Sequence, residues 1–532
     1  MRPNILLILN DDMGYSDLGC YGGEMATPNL DRLAANGIRF SQFYNTARCS
    51  PSRASLLTGL HPHQTGIGVL TEDDRPDGYP GNLNQRCVTI AEVLKHHGYR
   101  TYMSGKWHVA HDFVKVTPTW PRQRGFDRFF GTIAGAGSYY DPNTLTRDNE
   151  NIEAEAKDDP DFYYTDAISD NAVQFIRDHV QHYPNRPFFQ YVAYTAPHWP
   201  LHARDQDIQK YQGRFNRGWD QLRIERMERM IDQGLIDSSW RLSDRDPTQP
   251  EWEAADDKAW RTRCMEVYAA QIDAMDQGIG RILETLCDVG QVDNTVIFFL
   301  ADNGGCAEVL APSSGPDLAE NLLIARLRTR TGEPVRFGRQ PGVLPGREDT
   351  YQSYGVAWAN LSNTPFRLYK HWVHEGGIST PLIVHWPSGI QDPGSIRHSP
   401  GQLPDIMATV LELTGAEYPK RYNGHDILPL EGSSLVPLFY RDQRERGPMF
   451  WEHEGNAAVR MGPWKLVRKY PGAWELYHMQ SDRTETNNLA AQYPDRVREM
   501  SAAYDEWANR CGVIPREQEL RAIQARAGKE NI

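Results

Sequence analysis

Long apolar runs are missing from this chain of 532 residues. Its longest, residues 5–9 and Thr295–Ala301, fall far short of the ~20 residues that a helix needs to cross a bilayer. A basic excess is missing too: 57 Lys and Arg stand against 70 Asp and Glu, a net charge of −13. That balance argues against a nucleic-acid binder, whose affinity rests on basic surface. No C-x-x-C pair occurs, and the seven cysteines form an odd set, which excludes a regular disulfide framework and a cysteine-held zinc site. Six of the seven read as buried free thiols of a reducing compartment; Cys49 is the exception. No basic leader, long apolar core and small-residue cleavage site opens the chain, since Asp11 and Asp12 follow the first apolar run. The expectation is a cytoplasmic protein, or one whose signal has been removed. Repeats and low-complexity tracts are also absent. What remains is polar and rich in Gly (44) and Pro (35), the composition of an enzyme-sized globule with long loops.

Five short apolar runs, residues 4–9, 101–104, 188–194, 295–301 and 382–386, read as strands. Each is continuous rather than alternating, as expected where both faces of a sheet are covered. Helices fall between them. One starts at Thr27-Pro28 and stops at Gly37. Another spans residues 264–286, where Tyr268, Ile272, Met275, Ile279, Ile282 and Leu286 recur at helical spacing and form a core stripe. The expected fold is therefore α/β, a large mostly parallel sheet flanked by helices. Residues 205–260, charged and rich in Trp and Arg, read as a helical insertion over the surface. Residues 311–353 read as a long loop system near the site. A boundary is expected at residues 440–447, dividing a catalytic part (1–440) from a smaller C-terminal α+β part (441–532). The latter should carry short antiparallel strands at 457–461, 464–469 and 474–478, then a helix at 493–510.

In open α/β sheets, ligands bind beyond the carboxyl ends of the strands. Four of the five runs end in charged or metal-type residues: Asp11 and Asp12, Lys106 and His108, His198, and Asp302 with Asn303. The acids and the amide supply only hard oxygen, which suits calcium or magnesium rather than zinc. Three carboxylates and a divalent ion would leave about one negative charge, so an anionic ligand needs cations. Arg53, Lys106, His108, His198 and Lys370 can supply them. Cys49 precedes Pro51, which fits a first helical turn, while Gly59 fits its C-terminal cap. A helix N-terminus and nearby arginines both favour a thiolate and bound anions.

Cys49-Ser50-Pro51-Ser52-Arg53 matches the C-x-P-S-R signature of the sulfatases, and Ser55-Leu56-Leu57-Thr58-Gly59 continues the match. Asn10-Asp11-Asp12, Thr27-Pro28-Asn29-Leu30-Asp31, Gly105-Lys106-Trp107-His108 and Ala196-Pro197-His198 also resemble sulfatase motifs. So do the strand end at residues 298–304, Glu375-Gly376-Gly377 and the D-x-x-E-x-x-N-L turn at 482–489. The chain thus resembles the type I, formylglycine-dependent sulfatases of the alkaline phosphatase superfamily, and most of all those called arylsulfatases.

The resemblance implies that a separate maturation enzyme oxidises Cys49 to formylglycine, whose hydrate attacks the sulfur of a sulfate ester. The alcohol leaves, and the second hydroxyl then loses a proton to expel sulfate, so one hard step becomes two. It further implies that Asp11, Asp12, Asp302 and Asn303 hold calcium with the modified Cys49, and that Arg53 fixes the hydrate. Lys106 would bridge hydrate and sulfate, His108 would be the base for collapse, and His198 and Lys370 would grip the sulfate. Lys370 is the weakest of these transfers, since Arg367 or His371 could serve instead; His374 could touch substrate or be structural. The substrate is a small-molecule sulfate ester, with aryl or steroid alcohols favoured. Tyr139, Tyr140, Trp199 and Trp358 are candidates for stacking on its ring. Alternatives are sulfated carbohydrates, a phosphonate or phosphate monoester, or a silent sulfate-ester binder if Cys49 stays a thiol. No nucleic acid or membrane partner is expected.

Overall fold

The computed structural model describes residues 2–340 and 342–530. Its centre is an 11-stranded sheet. Seven strands build most of it: β1 (Asn4–Asn10), β2 (Ile38–Tyr44), β3 (Arg100–Gly105), β4 (Arg128–Thr132), β5 (Phe188–Ala193), β6 (Thr295–Ala301) and β7 (Ser379–His385). They lie in the order β2-β7-β6-β1-β5-β3-β4, with short strands extending both ends. From β6 across β1, β5 and β3 to β4 every pairing is parallel. The five apolar runs are β1, β3, β5, β6 and β7. Their continuity has the expected cause. In β1, Leu6 and Ile8 enter the core on one face, while Ile5, Leu7 and Leu9 enter the core on the other.

Two features depart from expectation. The fifth run, β7, is antiparallel to both β6 and β2, a direction that composition does not encode. Strands β2 and β4 carry Arg39, Gln42 and Arg128, partly exposed where cover is thin, so neither forms an apolar run. A search for two-faced burial finds only the central strands.

Helices α1 (Pro28–Ala35), α2 (Cys49–Thr58), α3 (Tyr164–His182), α4 (Gly218–Asp232) and α5 (Lys258–Asp288) include the three anticipated at Pro28, Cys49 and residues 264–286. The stripe from Tyr268 to Leu286 on α5 is fully buried against α1, α3 and the sheet, as its spacing requires. Residues 205–260 are not a surface layer. On α4, Trp219, Leu222, Met227 and Met230 are buried. Its Arg226 is wholly enclosed, pairing with Asp17 and Glu24 at 2.7 Å each. Charged residues on this helix therefore anchor it beneath the site, because a buried guanidinium persists only when paired.

Trp358 stacks edge-on against Trp219 and donates its indole N–H to the Arg261 carbonyl at 2.8 Å. At 1% exposure it is core and reads no substrate. Trp358→Phe should cost about 1–2 kcal/mol of stability by cavity formation and a lost hydrogen bond. Denaturant melts would show that loss, while KM for every sulfate ester stays unchanged.

The C-terminal strands appear at Asn456–Met461, Trp464–Arg468 and Glu475–His478, preceded by Met449–His453, in one antiparallel sheet. The helix Pro494–Cys511 packs on it. This sheet is joined to the site edge of the large one through buried charge. Lys465 Nζ contacts Glu375 at 2.8 Å and Glu485 at 2.9 Å, and Arg483 reaches the other Glu375 oxygen at 2.8 Å. Burial would raise the Glu375 pKa, but Lys465 and Arg483 outweigh it and hold the carboxyl near about 2.

Candidate active site

Register assembles the site. Asn10 lies beside Ala301, so Asp11 and Asp302 leave the sheet as neighbours. Gly105 lies beside Ala193, which brings Lys106 to the same edge. Strand β2 also ends here, and its exit leads through Ala47, at a φ of 67°, into α2 with Cys49 as the first helical residue. Gly59, in the left-handed conformation, ends that helix as expected.

Arg53, one turn into α2, is entirely buried. It donates to Asp302 Oδ2 from Nε (3.2 Å) and Nη2 (2.8 Å), and to the Lys106 carbonyl at 3.1 Å. Lys106 Nζ lies 2.5 Å from Asp11 Oδ2. Lys370 Nζ lies 2.9 Å from Asp12 Oδ2 and 3.3 Å from His198 Nε2. His198 in turn comes within 3.3 Å of the same Asp12 oxygen. Asn303 donates to Asp12 Oδ1 at 2.7 Å. His108 Nδ1 lies 3.5 Å from Cys49 Sγ, and its backbone takes a φ of 52° to place it there. Gly135 covers that imidazole so closely that a Cβ would stand 2.3 Å from it. Asp11, Asp12, Cys49, Arg53, Lys106, His108, His198, Asp302, Asn303 and Lys370 thus converge on one cluster.

Electrostatics describe three buried carboxylates, Asp11, Asp12 and Asp302, packed among three buried cations, Arg53, Lys106 and Lys370. Burial raises Asp11, but Lys106, His198, Arg53 and Lys370 overcome this and hold it far below the usual carboxylate range. Burial and the adjacent Asp11 carboxylate push Asp302 up. Burial, with Lys106 and Arg53 nearby, keeps His108 neutral, and burial does the same for His198 against the pull of Asp12. Burial disfavours the Lys370 ammonium, yet Asp12 raises its pKa well above normal. Asp11 Oδ1 and Asn303 Oδ1 are buried with no hydrogen-bond partner. Such orphaned oxygens are costly unless something cationic faces them. Asp11, Asp12 and His198 hold ligand atoms within 4.8 Å of one another. These acids, with the unpartnered oxygens of Asp11 and Asn303 among them, could hold a divalent ion.

The neighbours of Lys370 turn elsewhere. Arg367 pairs with Glu475 at 3.2 Å and His371 with Glu454 at 2.6 Å, so neither substitutes for it. His374 is fully buried, 3.6 Å from Glu475, and is structural. Of the aromatic candidates, Tyr139 is buried and donates to the Thr195 and His198 carbonyls, positioning the His198 loop. Tyr140 is spent on the Gly346 carbonyl. Trp199, half-buried at the rim, is the candidate whose ring packs on His198, at a centroid distance of 4.4 Å. Its indole donates to Glu308 Oε2 at 2.9 Å, and Arg48 binds the other Glu308 oxygen at 2.8 Å. The sequence reading assigned no role to Arg48 or Glu308. Arg48 directly precedes the signature cysteine, while Glu308 follows Asn303 by five residues and carries no motif of its own. Residues 311–353 do reach this rim, where Tyr351 packs edge-on against Trp199. The expectation of buried thiols holds for most of the cysteines, but Cys287 is exposed on α5 and Cys20 half-buried.

Among the described residues no helix is long and apolar enough to cross a membrane. The sulfatase family model matches residues 3–416, and the model of the N-sulphoglucosamine sulphohydrolase C-terminal region matches 366–504. An uncharacterized sulfatase of Schizosaccharomyces pombe is 31% identical over 96% of this chain and 94% of its own. The arylsulfatase of Klebsiella aerogenes is 32% identical over 83% of this chain and 94% of its own. The solved structure of Ps i-CgsB in complex with k-i-k-neocarrahexaose shares the fold, with a TM-score of 0.66 at 24% identity, covering 96% of this chain and 93% of that one. With that match, the C-x-P-S-R helix and the strand-end cluster of acids and cations have one reading: the chain belongs to the sulfatase family and is a sulfuric ester hydrolase.

Proposed function

We propose that the chain hydrolyses sulfate monoesters of aryl or steroid alcohols, using a formylglycine made from Cys49 and a calcium ion. Sulfatases generally use formylglycine and a divalent metal. Here Asp11, Asp12, Asp302, Asn303 and the modified Cys49 would hold the ion, which would supply charge neutralisation at the sulfate oxygens. The observation that carries the aryl reading is Trp199. Half-buried, it packs against the His198 imidazole that would face the leaving oxygen, where a flat ring could stack. The Klebsiella relative, named an arylsulfatase, points the same way.

Roles follow from position. Arg53, clamped between Asp302 and the Lys106 carbonyl, holds the side chain of residue 49 in place. Lys106 and Lys370, paired here with Asp11 and Asp12, would bind the sulfate anion if a metal ion took over those carboxylates. Each such donor is worth ~10²–10³ in rate by analogy with oxyanion donors. Their effects should not add, because they face one small group. His198 and Lys370 grip the sulfate and steady the leaving oxygen. His108, neutral and beside residue 49, takes a proton from its side-chain oxygen.

Initial rates on one panel of aryl, steroid, alkyl and sugar sulfates, with the matching aryl phosphate, test the substrate class. Aryl or steroid sulfates should lead in kcat/KM; a sugar sulfate or the phosphate in first place would overturn it. For the role of His108 the measurement is rapid quench of fully matured His108→Ala with an aryl sulfate. One equivalent of alcohol should appear in a burst. A steady rate lower by ~10²–10⁴ should follow, with sulfate retained on the residue 49 peptide. Loss of both the burst and the adduct, with binding intact, would move His108 to the first step.

A further inference from the structure

Behind Lys370 lies a second group of ligating side chains that sulfate ester hydrolysis does not use. His371, His453 and Glu454 bring three ligand atoms within 4.8 Å of one another. His371 Nδ1 lies 2.6 Å from Glu454 Oε2, and His453 Nε2 lies 3.7 Å from the same oxygen. His453 is 1% exposed, and neither of its ring nitrogens has a hydrogen-bond partner. A buried imidazole with both nitrogens idle is unusual, because each is a polar group withdrawn from water.

We infer that His371, His453 and Glu454 form a second metal site, one for a borderline transition ion such as Zn²⁺ rather than calcium. The donors are two imidazoles and one carboxylate, the set that borderline ions prefer and that hard ions avoid. Ligand atoms ~2.0–2.1 Å from a tetrahedral ion stand ~3.3 Å apart. The two observed separations from the shared Glu454 oxygen, 2.6 and 3.7 Å, bracket that figure. The carboxylate is pre-aimed: Arg516 binds Glu454 Oε1 at 3.2 Å and leaves Oε2 facing the imidazoles. Because the His371 side chain is 33% exposed, water has access to a fourth position.

The site's placement gives it a consequence. His371 follows Lys370 directly and is held at a φ of 87°, while Glu454 sits in the turn after Met449–His453 at a φ of 51°. An ion here would tie the Lys370 loop to the C-terminal sheet and relieve the need for backbone strain to hold it there.

Cobalt reports the site, since Co²⁺ bound by nitrogen in a four- or five-coordinate site absorbs visible light whereas calcium does not. Calcium-saturated enzyme, stripped of transition metals by a nitrogen-donor chelator, is titrated with CoCl₂ and then with ZnCl₂. One equivalent of Co²⁺ should give the visible band, zinc should displace it, and zinc should raise the melting temperature. Glu454→Gln and His371→Asn should each weaken cobalt binding at least ~tenfold and remove the zinc-dependent thermal shift. Both positions are partly exposed, so these variants fold even if His453→Ala does not. Absence of the band in the parent enzyme, or a band of equal strength in both variants, would overturn the assignment. The second result would place the ion at His198 and the acids instead.

Discussion

Cys49→Ala should abolish sulfate ester turnover, with a loss on the order of 10⁶ in kcat as when other enzymes lose their nucleophile. Stability should move by no more than about 1 kcal/mol. The second expectation rests on local structure. Residue 49 is the first position of α2, alanine is the best helix former, and Leu56 and Leu57 keep the helix in the core. Only the approach of Sγ to His108 at 3.5 Å is given up. Peptide mass spectrometry of active protein should find the aldehyde, lighter than the thiol. Full activity in material that carries only the unmodified thiol would remove the proposed nucleophile.

Asp302→Ala should fail differently, losing ion, activity and stability together. Its carboxylate takes two hydrogen bonds from the wholly buried Arg53 and one from the Asp12 backbone N–H at 3.2 Å. Removing one partner of a buried ion pair leaves an unbalanced charge and costs about 3–5 kcal/mol. Elemental analysis should fall from one calcium per chain to none, and chemical denaturation should show the stability loss. Asp302→Asn, which keeps the shape but not the charge, should recover part of the stability and little of the turnover. Calcium and turnover that survive Asp302→Ala, or active parent enzyme containing zinc and no calcium, would refute this ion site.

How far the sequence carried these expectations depends on the physics behind each residue. The central strands were legible because burial on both faces demands uninterrupted apolar runs. Strand β2 was not, since Arg39 and Gln42 reach solvent and break the run. Asp11, Lys106 and Asp302 were legible because each directly follows such a strand, and His198 because it lies in the loop just beyond β5; strand ends are where an α/β sheet presents its ligands. Glu308 and Arg48 escaped notice because their meaning is relational. A glutamate becomes part of the rim only when folding brings Trp199 and Arg48 to its two oxygens. The same holds for Arg226, whose burial no local pattern announces. It looks like any surface arginine until Asp17 and Glu24 close around it. Trp358 and Trp199 show the converse, being equally plausible as rim residues until packing buries one and leaves the other at the opening.

The register between β1 and β6 has a consequence for how such a chain can change. Both strands have seven residues, paired from Asn4 with Thr295 to Asn10 with Ala301. Adding one residue inside β6 would carry Asp302 ~3.3 Å along the strand axis and turn it to the opposite face. Asp302 would then part from Arg53, and the layers above and below would exchange side chains. At Gly332, by contrast, nothing stands within 4 Å of an added Cβ. Lengthening the chain there disturbs only a local turn, in which the Gly332 N–H donates to the Thr329 carbonyl and its own carbonyl accepts from Arg328. Variation in the alcohol accepted therefore has the loops as its raw material, whereas the strands serve as a ruler whose graduations the acids mark.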